Sequence, residues 1–489
     1  MDGAGRRPSW VLAGPRWAGL LIATLRRHRG LAGLLLIGIA ARLLLAKAYS
    51  PALWFDDYRN YLRESHPLTP GNWHPAGYSA WLRVLMPLGD LWTVTAAQHL
   101  LGLTLPVAVY AMLHRRAAPR WLALVAAAPL ALDARAIVLE HYLIADSLFA
   151  ALLVGGLVLL LWRDKPNIWL SLAAGLLLGG ATLVRVIGLP LCALAGGYLL
   201  VRWVGWRPLL GFATAMLVTL GGYAVWFHSH HDEYGLTGWS GRFLYGRTAG
   251  ISDCDRLKLT EQERRLCPVQ PLGQRPERPD WFVWSPDSPA QRYPDEPLLK
   301  SFAVKVITQQ PGDYAFTVTR DVVRYFFYPD RRLGPNTQCL DAYWDLGKVV
   351  KGVDCFPHVA ADGSTEPASL QRPSSTKSRT AFRWYAAVFT LPFPVQFLLV
   401  VGIAVALAWR PRRPGWSYGS GALLLVGCGL AIITISFATS MFERRYGHSA
   451  SPLLVMAGAF AWLRVRAATR PAPDEPVLPE RNLDADTTT

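Results

Sequence analysis

The stretch IWLSLAAGLLLGGATL, residues 168–183, holds no charged side chain and is bounded by Asn167 on one side and Val184-Arg185 on the other. A helix built mostly from Leu, Ala and Gly has no polar face to turn to water. It belongs in a bilayer or deep in a large core. Its companions decide which. Residues 30–48, 91–113, 147–162, 187–204, 209–227, 384–409, 419–437 and 451–463 are also nearly free of charge. A hydrocarbon core takes about 20 such residues per helix. Nine runs of this kind cannot all be buried helices of one soluble domain. Residues 121–132 form a tenth, shorter run that carries Pro129 and extends past Asp133 towards Val138. The expectation is an all-α polytopic membrane protein of about ten transmembrane helices.

Composition agrees. Of 489 residues, 52% are hydrophobic and 17% are charged, with a formal net charge of +16. The chain is too apolar for a disordered protein and too poor in cysteine for a disulfide miniprotein. Its basic residues sit between apolar runs rather than along one polar stripe, which argues against a nucleic-acid partner. They mark topology instead, because short Arg/Lys-rich loops stay in the cytoplasm. Arg26, Arg27 and Arg29 precede the first run. Arg115, Arg116, Arg120, Arg163, Lys165, Arg202, Arg207, Arg410, Arg412, Arg413, Arg464 and Arg466 fall on that same side if there are ten spans. Both ends then face the cytoplasm, and the basic loops meet anionic membrane lipids. Ala46-Lys47-Ala48 imitates a signal-peptidase site, but Arg42 and the length of the run argue for a retained span.

The resulting organisation is a basic N-terminus (1–29), a transmembrane module (30–227) with a first outer loop (51–89), an outer segment (228–383), C-terminal spans (384–466), and a disordered cytoplasmic tail (467–489). The outer segment is long enough for a mixed extracytoplasmic cap with a small core of its own. Apolar spacing predicts helices over 300–307 and 313–328, separated at Pro311-Gly312. Cys254, Cys267, Cys339 and Cys355 all lie in this segment, where disulfides persist. Of three possible pairings, Cys254 with Cys267 and Cys339 with Cys355 closes the shortest loops. Cys192 and Cys428 lie inside runs and read as packing residues.

Chemistry concentrates at the outer ends of the runs. The first outer loop begins Trp54-Phe55-Asp56-Asp57-Tyr58-Arg59-Asn60-Tyr61. Paired carboxylates there can accept a proton from a sugar hydroxyl or hold a divalent cation; a plain helix cap is the bland alternative. Asn72-Trp73-His74-Pro75-Ala76-Gly77-Tyr78 reads as a turn into an interfacial helix. The next outer loop supplies Glu140, His141 and Asp146. His74, His141 and an Asp lack tight metal-ligand spacing, so hydrogen-bonded histidines are favoured and a metal stays undefined. Arg185 ends one run, and Arg444, Arg445 and Tyr446 precede the last. Outer arginines oppose the positive-inside trend, and Arg binds phosphate bidentately. Ion pairing with Glu443 or Asp146 is the structural alternative. Arg42 lies within the first run, snorkelling or facing a polar cavity.

In these motifs the chain resembles the polytopic glycosyltransferase C superfamily, and within it the family-39-like, phospholipid-carrier-dependent transferases of bacteria. Phe55-Asp56-Asp57-Tyr58 followed by His74-Pro75-Ala76-Gly77-Tyr78 is similar to the family's first-loop acidic motif and its H-P-x-x-Y-like element. The stretches 140–149, 179–185 and Glu443-Arg444-Arg445-Tyr446 with Pro452 resemble its second outer loop, its G-x-x-x-L-x-R span end and its late E-R-Y…P element. The segment 241–268, with two cysteines, is similar to an actinobacterial-type subgroup. The long outer segment departs from many members, which carry theirs at the C-terminus.

The resemblance implies a polyprenyl-phosphate sugar lipid as donor and an envelope glycan, lipid or protein as acceptor, with chemistry on the outer face of the plasma (inner) membrane. It implies a mannosyltransferase- or arabinosyltransferase-like single displacement with inversion. Asp56 or Asp57 would be the general base, with Asp56 preferred. Arg185 and Arg445 would hold the donor phosphate. His74, Tyr78, Glu140, His141, Asp146, Arg444 and Tyr446 would line the substrate site. Metal need varies in the family, so a divalent cofactor stays open. The rivals are a transporter or flippase of lipid-linked glycans, a polymerase or ligase, and a non-catalytic envelope scaffold. Absent repeats and charges at span ends count against transport.

Overall fold

A computed structural model describes residues 23–24, 26–55, 57–327, 346, 358–359, 375–409 and 416–469. Each apolar run forms a helix, because in lipid a backbone must satisfy its own hydrogen bonds. Arg29–Ala48, Leu91–Arg115, Trp206–His231, Thr376–Ala408 and Ser417–Thr439 are each long and apolar enough to cross a bilayer. Arg120–Leu132 and Ala134–His141 are apolar enough only when taken together, and are bent by 42° at their break, as a broken span or a re-entrant pair is. Asp146–Leu161, Ile168–Val184 and Gly188–Val201 are shorter apolar helices, and Ala450–Thr469 follows the turn Arg444–Gly447. The chain is an all-α polytopic membrane protein.

The bend has a local cause: the Ala134 N–H leaves the helix ladder and donates to the Phe389 carbonyl at 2.9 Å. Asp133 then restarts it, its Oδ1 accepting from the Arg135 N–H at 2.9 Å. Asp90 and Asn167 cap their helices in the same way, accepting from Trp92 N and Leu170 N. Such caps satisfy donors that have no partner within the helix.

The helices pack in an order that brings distant span ends together. Ser417–Thr439 runs along Ala450–Thr469, and Ile168–Val184 lies between Asp146–Leu161 and Trp206–Met216. The first outer loop folds onto this frame. Gly77 sits so close to the Leu183 carbonyl that a Cβ would lie 2.4 Å from it. That approach sets the His74 turn beside Arg185. Leu53–Trp54 pairs antiparallel with His358–Val359 and bridges Tyr142, giving the one two-stranded sheet among the described residues.

Between His231 and Phe327 the regular elements are all helices, joined by loops, where a mixed cap was expected. Ser240–Ala249, Pro279–Trp284 and Glu296–Gln309 bury Tyr245, Leu266, Phe282, Phe302 and Val306 in a core of their own. Cys254 and Cys267 are joined across this core, as local pairing anticipates. Cys339 and Cys355 lie outside the described residues. The two anticipated helices are Glu296–Gln309 and Pro311–Phe327. The aromatic end of the second docks on the spans. Tyr325 is fully buried against Phe393 and donates to the Gly447 carbonyl.

Candidate functional site

Four chain segments meet at one end of the bundle. Asp57 opens the helix Asp57–Ser65, and Tyr61 follows one turn later on the same face. His74 lies in the turn before Gly77–Leu85. Asp146 opens Asp146–Leu161, and Arg185 ends Ile168–Val184. Glu443 precedes the short turn Arg444–Gly447. Helix ends place these side chains together at one end of the bundle.

Three ion pairs on two arginines form the cluster. Arg445 reaches Glu443 on two edges, Nε to Oε1 at 3.1 Å and Nη2 to Oε2 at 3.2 Å. Its Nη1 meets Asp57 Oδ2 at 3.4 Å. Arg185 Nη1 meets Asp146 Oδ1 at 2.6 Å. The Tyr446 ring joins the two arginines, lying 5.0 Å from the Arg185 guanidinium and 5.2 Å from that of Arg445. Phe55 covers Arg445 at 5.1 Å. A ring face attracts a guanidinium, so Tyr446 and Phe55 hold both in place.

Burial shapes the chemistry. Burial works against the Arg445 charge, but Glu443, Asp146 and Asp57 outweigh it and hold the guanidinium well above its ordinary range. Burial raises the Glu443 carboxyl, with Arg445 opposing. Burial pushes His74 down to about 4 despite Asp57, so its imidazole is neutral at pH 7. Tyr446 is pushed up to about 12 by burial and then by Glu443, and stays a phenol. Asp146 Oδ2 and His74 Nε2 are among the buried atoms that find no hydrogen-bond partner among the described residues. Asp57 keeps 13% of its side chain exposed and Arg185 keeps 21%. The cluster thus offers an accessible carboxylate, an accessible guanidinium and unused polar valences.

Of the residues anticipated from sequence, Asp57, His74, Asp146, Arg185, Arg445 and Tyr446 gather here. Asp56 lies outside the described residues. Tyr78 is buried behind the site, with its ring edge on Tyr61 at 4.8 Å and its hydroxyl donating to Gln98 Oε1. Arg444 lies over the Phe393 ring at 4.8 Å, away from Tyr446. Tyr61, Phe55 and Glu443 belong to the cluster but were not anticipated as site residues. The i+4 spacing of Tyr61 from Asp57 is the signal that could have found it.

Glu140 and His141 join a different cluster. Arg42 donates to Glu140 through Nε and Nη2, both at 2.7 Å, and through Nη1 to the Gly38 and Ala131 carbonyls. His99 meets Glu140 Oε2 at 2.9 Å and His141 Nδ1 at 3.1 Å. His141 Nε2 reaches the Tyr49 carbonyl at 2.9 Å. A carbonyl cannot donate, so His141 donates there. Gly102 makes room, since a Cβ on it would stand 1.8 Å from Glu140 Oε1. Arg42 therefore faces a buried carboxylate. No group of three or more His, Cys, Asp or Glu side chains has metal-holding geometry among the described residues.

The fold and this cluster define the class: a multi-pass helical membrane protein with paired carboxylates and arginines at one end of its bundle. No family model matches the chain, and no curated protein matches it in sequence. Two solved structures are similar. One is the S. cerevisiae protein O-mannosyltransferase Pmt1-Pmt2 complex bound to the sugar donor, 17% identical over 47% of this chain, with a TM-score of 0.33. The match spans only 37% of that chain. The other is ArnT from Cupriavidus metallidurans bound to undecaprenyl phosphate, 16% identical over 93% of this chain and 79% of that one, with a TM-score of 0.33.

Proposed function

We propose that this chain is a glycosyltransferase of the plasma membrane. It moves a monosaccharide from a polyprenyl-phosphate donor to an envelope acceptor on the extracytoplasmic face. The observation that carries this reading is the site itself, where Asp57, Arg445, Arg185 and Asp146 meet around Tyr446. A lipid-phosphate sugar needs a cation for its phosphate, a base for the acceptor and a membrane groove for its tail. The site supplies the first two, at a span end where the third is at hand.

In this mechanism a carboxylate of the Asp56–Asp57 pair takes the proton of the acceptor hydroxyl. We assign that role to Asp57, which faces the arginines. The acceptor oxygen forms its bond to the anomeric carbon as the bond from that carbon to the phosphate oxygen breaks. The lipid phosphate leaves with the electron pair, its charge met by Arg185, which has further N–H donors beyond the one on Asp146. Attack opposite the leaving group inverts the configuration. Glu443 orients Arg445, and Arg445 orients Asp57. Asp56 and Asp57 could also hold a divalent cation against the phosphate.

The test is reconstitution in lipid with radiolabelled polyprenyl-phosphate mannose or arabinose and envelope extracts as acceptor. Wild-type protein should transfer label, and Asp57→Asn should transfer about 10²–10⁴-fold less. Equal rates for wild type, Asp56→Asn and Asp57→Asn would reject the assignment. Movement of intact donor across vesicles without transfer would favour a flippase.

A further inference from the structure

Four large aromatic side chains form a patch beside the site that no core absorbs. Trp73 comes from the first outer loop, Trp239 and Phe243 from the start of Ser240–Ala249, and Trp284 from the end of Pro279–Trp284. Trp73 lies 4.5 Å from Trp284, 6.2 Å from Trp239 and 6.5 Å from Phe243. Rings brought this close normally bury themselves, as Tyr245 and Phe302 do in the neighbouring core. These four stay partly accessible, Trp284 at 39%, and none belongs to any of the four apolar clusters.

The patch is continuous with the site. His74 is stacked between Trp73, at 4.9 Å and 20°, and Tyr61, at 4.9 Å and 25°. Tyr61 is one helical turn from Asp57. A row of rings therefore leads from open surface to the carboxylate cluster. The patch is also rigidly founded. The N–H groups of Gly238 and Trp239 both donate to the Asn72 carbonyl, and His231 bonds the Pro70 carbonyl. Its rim is polar. Arg242 lies over Trp239 at 4.6 Å and pairs with Glu296, while the Asn72 side chain is exposed.

Trp73 and Trp239 lie near-parallel at 25°, Trp284 crosses them at 47° and 53°, and with the exposed Asn72 at the edge these ring faces suit one ligand class. A sugar ring presents C–H groups on its faces and hydroxyls around its edge. A lipid tail would not use the polar rim, and an extended peptide would call for unpaired backbone groups to pair with. We propose that Trp73, Trp239, Phe243 and Trp284 are the acceptor subsite, and that the acceptor is a carbohydrate whose penultimate ring stacks there while its terminal hydroxyl reaches Asp57. This deepens the transferase reading and rests on it for the identity of the reacting hydroxyl.

The test uses the full chain in lipid nanodiscs and reads tryptophan fluorescence during titration with mannotetraose, maltotetraose, cellotetraose and a Ser/Thr-rich peptide. Undecaprenyl phosphate is titrated separately. At least one tetrasaccharide should shift the emission of wild type. Trp284→Ala and Trp239→Ala should weaken that binding about tenfold or more, and Trp284→Phe should retain most of it. Undecaprenyl-phosphate binding should be unchanged in all three tryptophan variants, which also reports that they are folded. Binding of the peptide alone, binding of none of the four probes, or equal tetrasaccharide binding by wild type and Trp284→Ala would overturn the proposal. Loss of undecaprenyl-phosphate binding in the wild type, with tetrasaccharide binding intact, would instead count against the transferase reading.

Discussion

Two clusters of buried charge sit in this bundle, and they are finished to different degrees. In the inner one, Arg42, Glu140, His99 and His141 use every nitrogen and every carboxylate oxygen they have. In the outer one, Asp57 and Arg445 meet at 3.4 Å, while Asp146 Oδ2 and His74 Nε2 are left over. Charge within an apolar frame does not by itself mark a site. The inner cluster is closed and ties Arg29–Ala48 to Leu91–Arg115 and Ala134–His141. The outer cluster holds unused hydrogen-bonding capacity and a measure of access, which is what a substrate needs.

The largest effect should come from opening the closed cluster. Arg42→Met leaves Glu140 buried without its partner, which costs about 3–5 kcal/mol. Folded yield in detergent should collapse. Arg42→Met with Glu140→Leu removes both charges and should recover much of that yield. Recovery, measured by size-exclusion chromatography and thermal unfolding, is the expected outcome. A double variant no better than the single one would mean the cluster has a role other than scaffold.

The region beyond His231 sharpens the comparison, because its core is closed covalently. Cys254→Ser with Cys267→Ser reopens a loop of 13 residues, worth about 3 kcal/mol in the chain-entropy model. Limited proteolysis should then cut between residues 250 and 270 while the membrane helices stay intact. Unchanged resistance would show that the loop is held by its packing alone.

The smallest effect concerns His74. Its folded-state pKa lies near 4, below its ordinary 6.5, because of burial. Between those values the unfolded chain binds the extra proton, so stability falls as pH drops from about 6.5 towards 4. His74→Gln should remove this contribution. The melting temperature of wild type relative to the variant should fall by about 2 °C over that range. A pH dependence identical in both would place His74 in water rather than between Trp73 and Tyr61.

The helices were legible because charge-free windows are a direct physical requirement of lipid. The break at Asp133 was not, since the run 121–132 reads as continuing past Asp133 towards Val138. The convergence of Asp57, Asp146, Arg185 and Arg445 was legible only as a shared membrane level, since helix packing decides which span ends touch. The pairing of Arg42 with Glu140 was beyond sequence reading. The two lie 98 residues apart, and Glu140 looked like an outer-loop acid because the bend at Asp133 was not resolved into two helices. His99 was overlooked within an apolar run, although an ionisable residue mid-span is itself a signal.

The most direct test sets the two clusters side by side in one transfer assay, with rates normalised to folded protein. Arg185→Ala should lower sugar transfer about 10²–10³-fold, the loss expected when a group that stabilises transition-state charge is removed. The Arg42→Met, Glu140→Leu pair should stay within about threefold of wild type, because substitutions at distant sites that share no partner act independently. The reverse result, with transfer surviving Arg185→Ala and lost in the inner pair, would contradict the account.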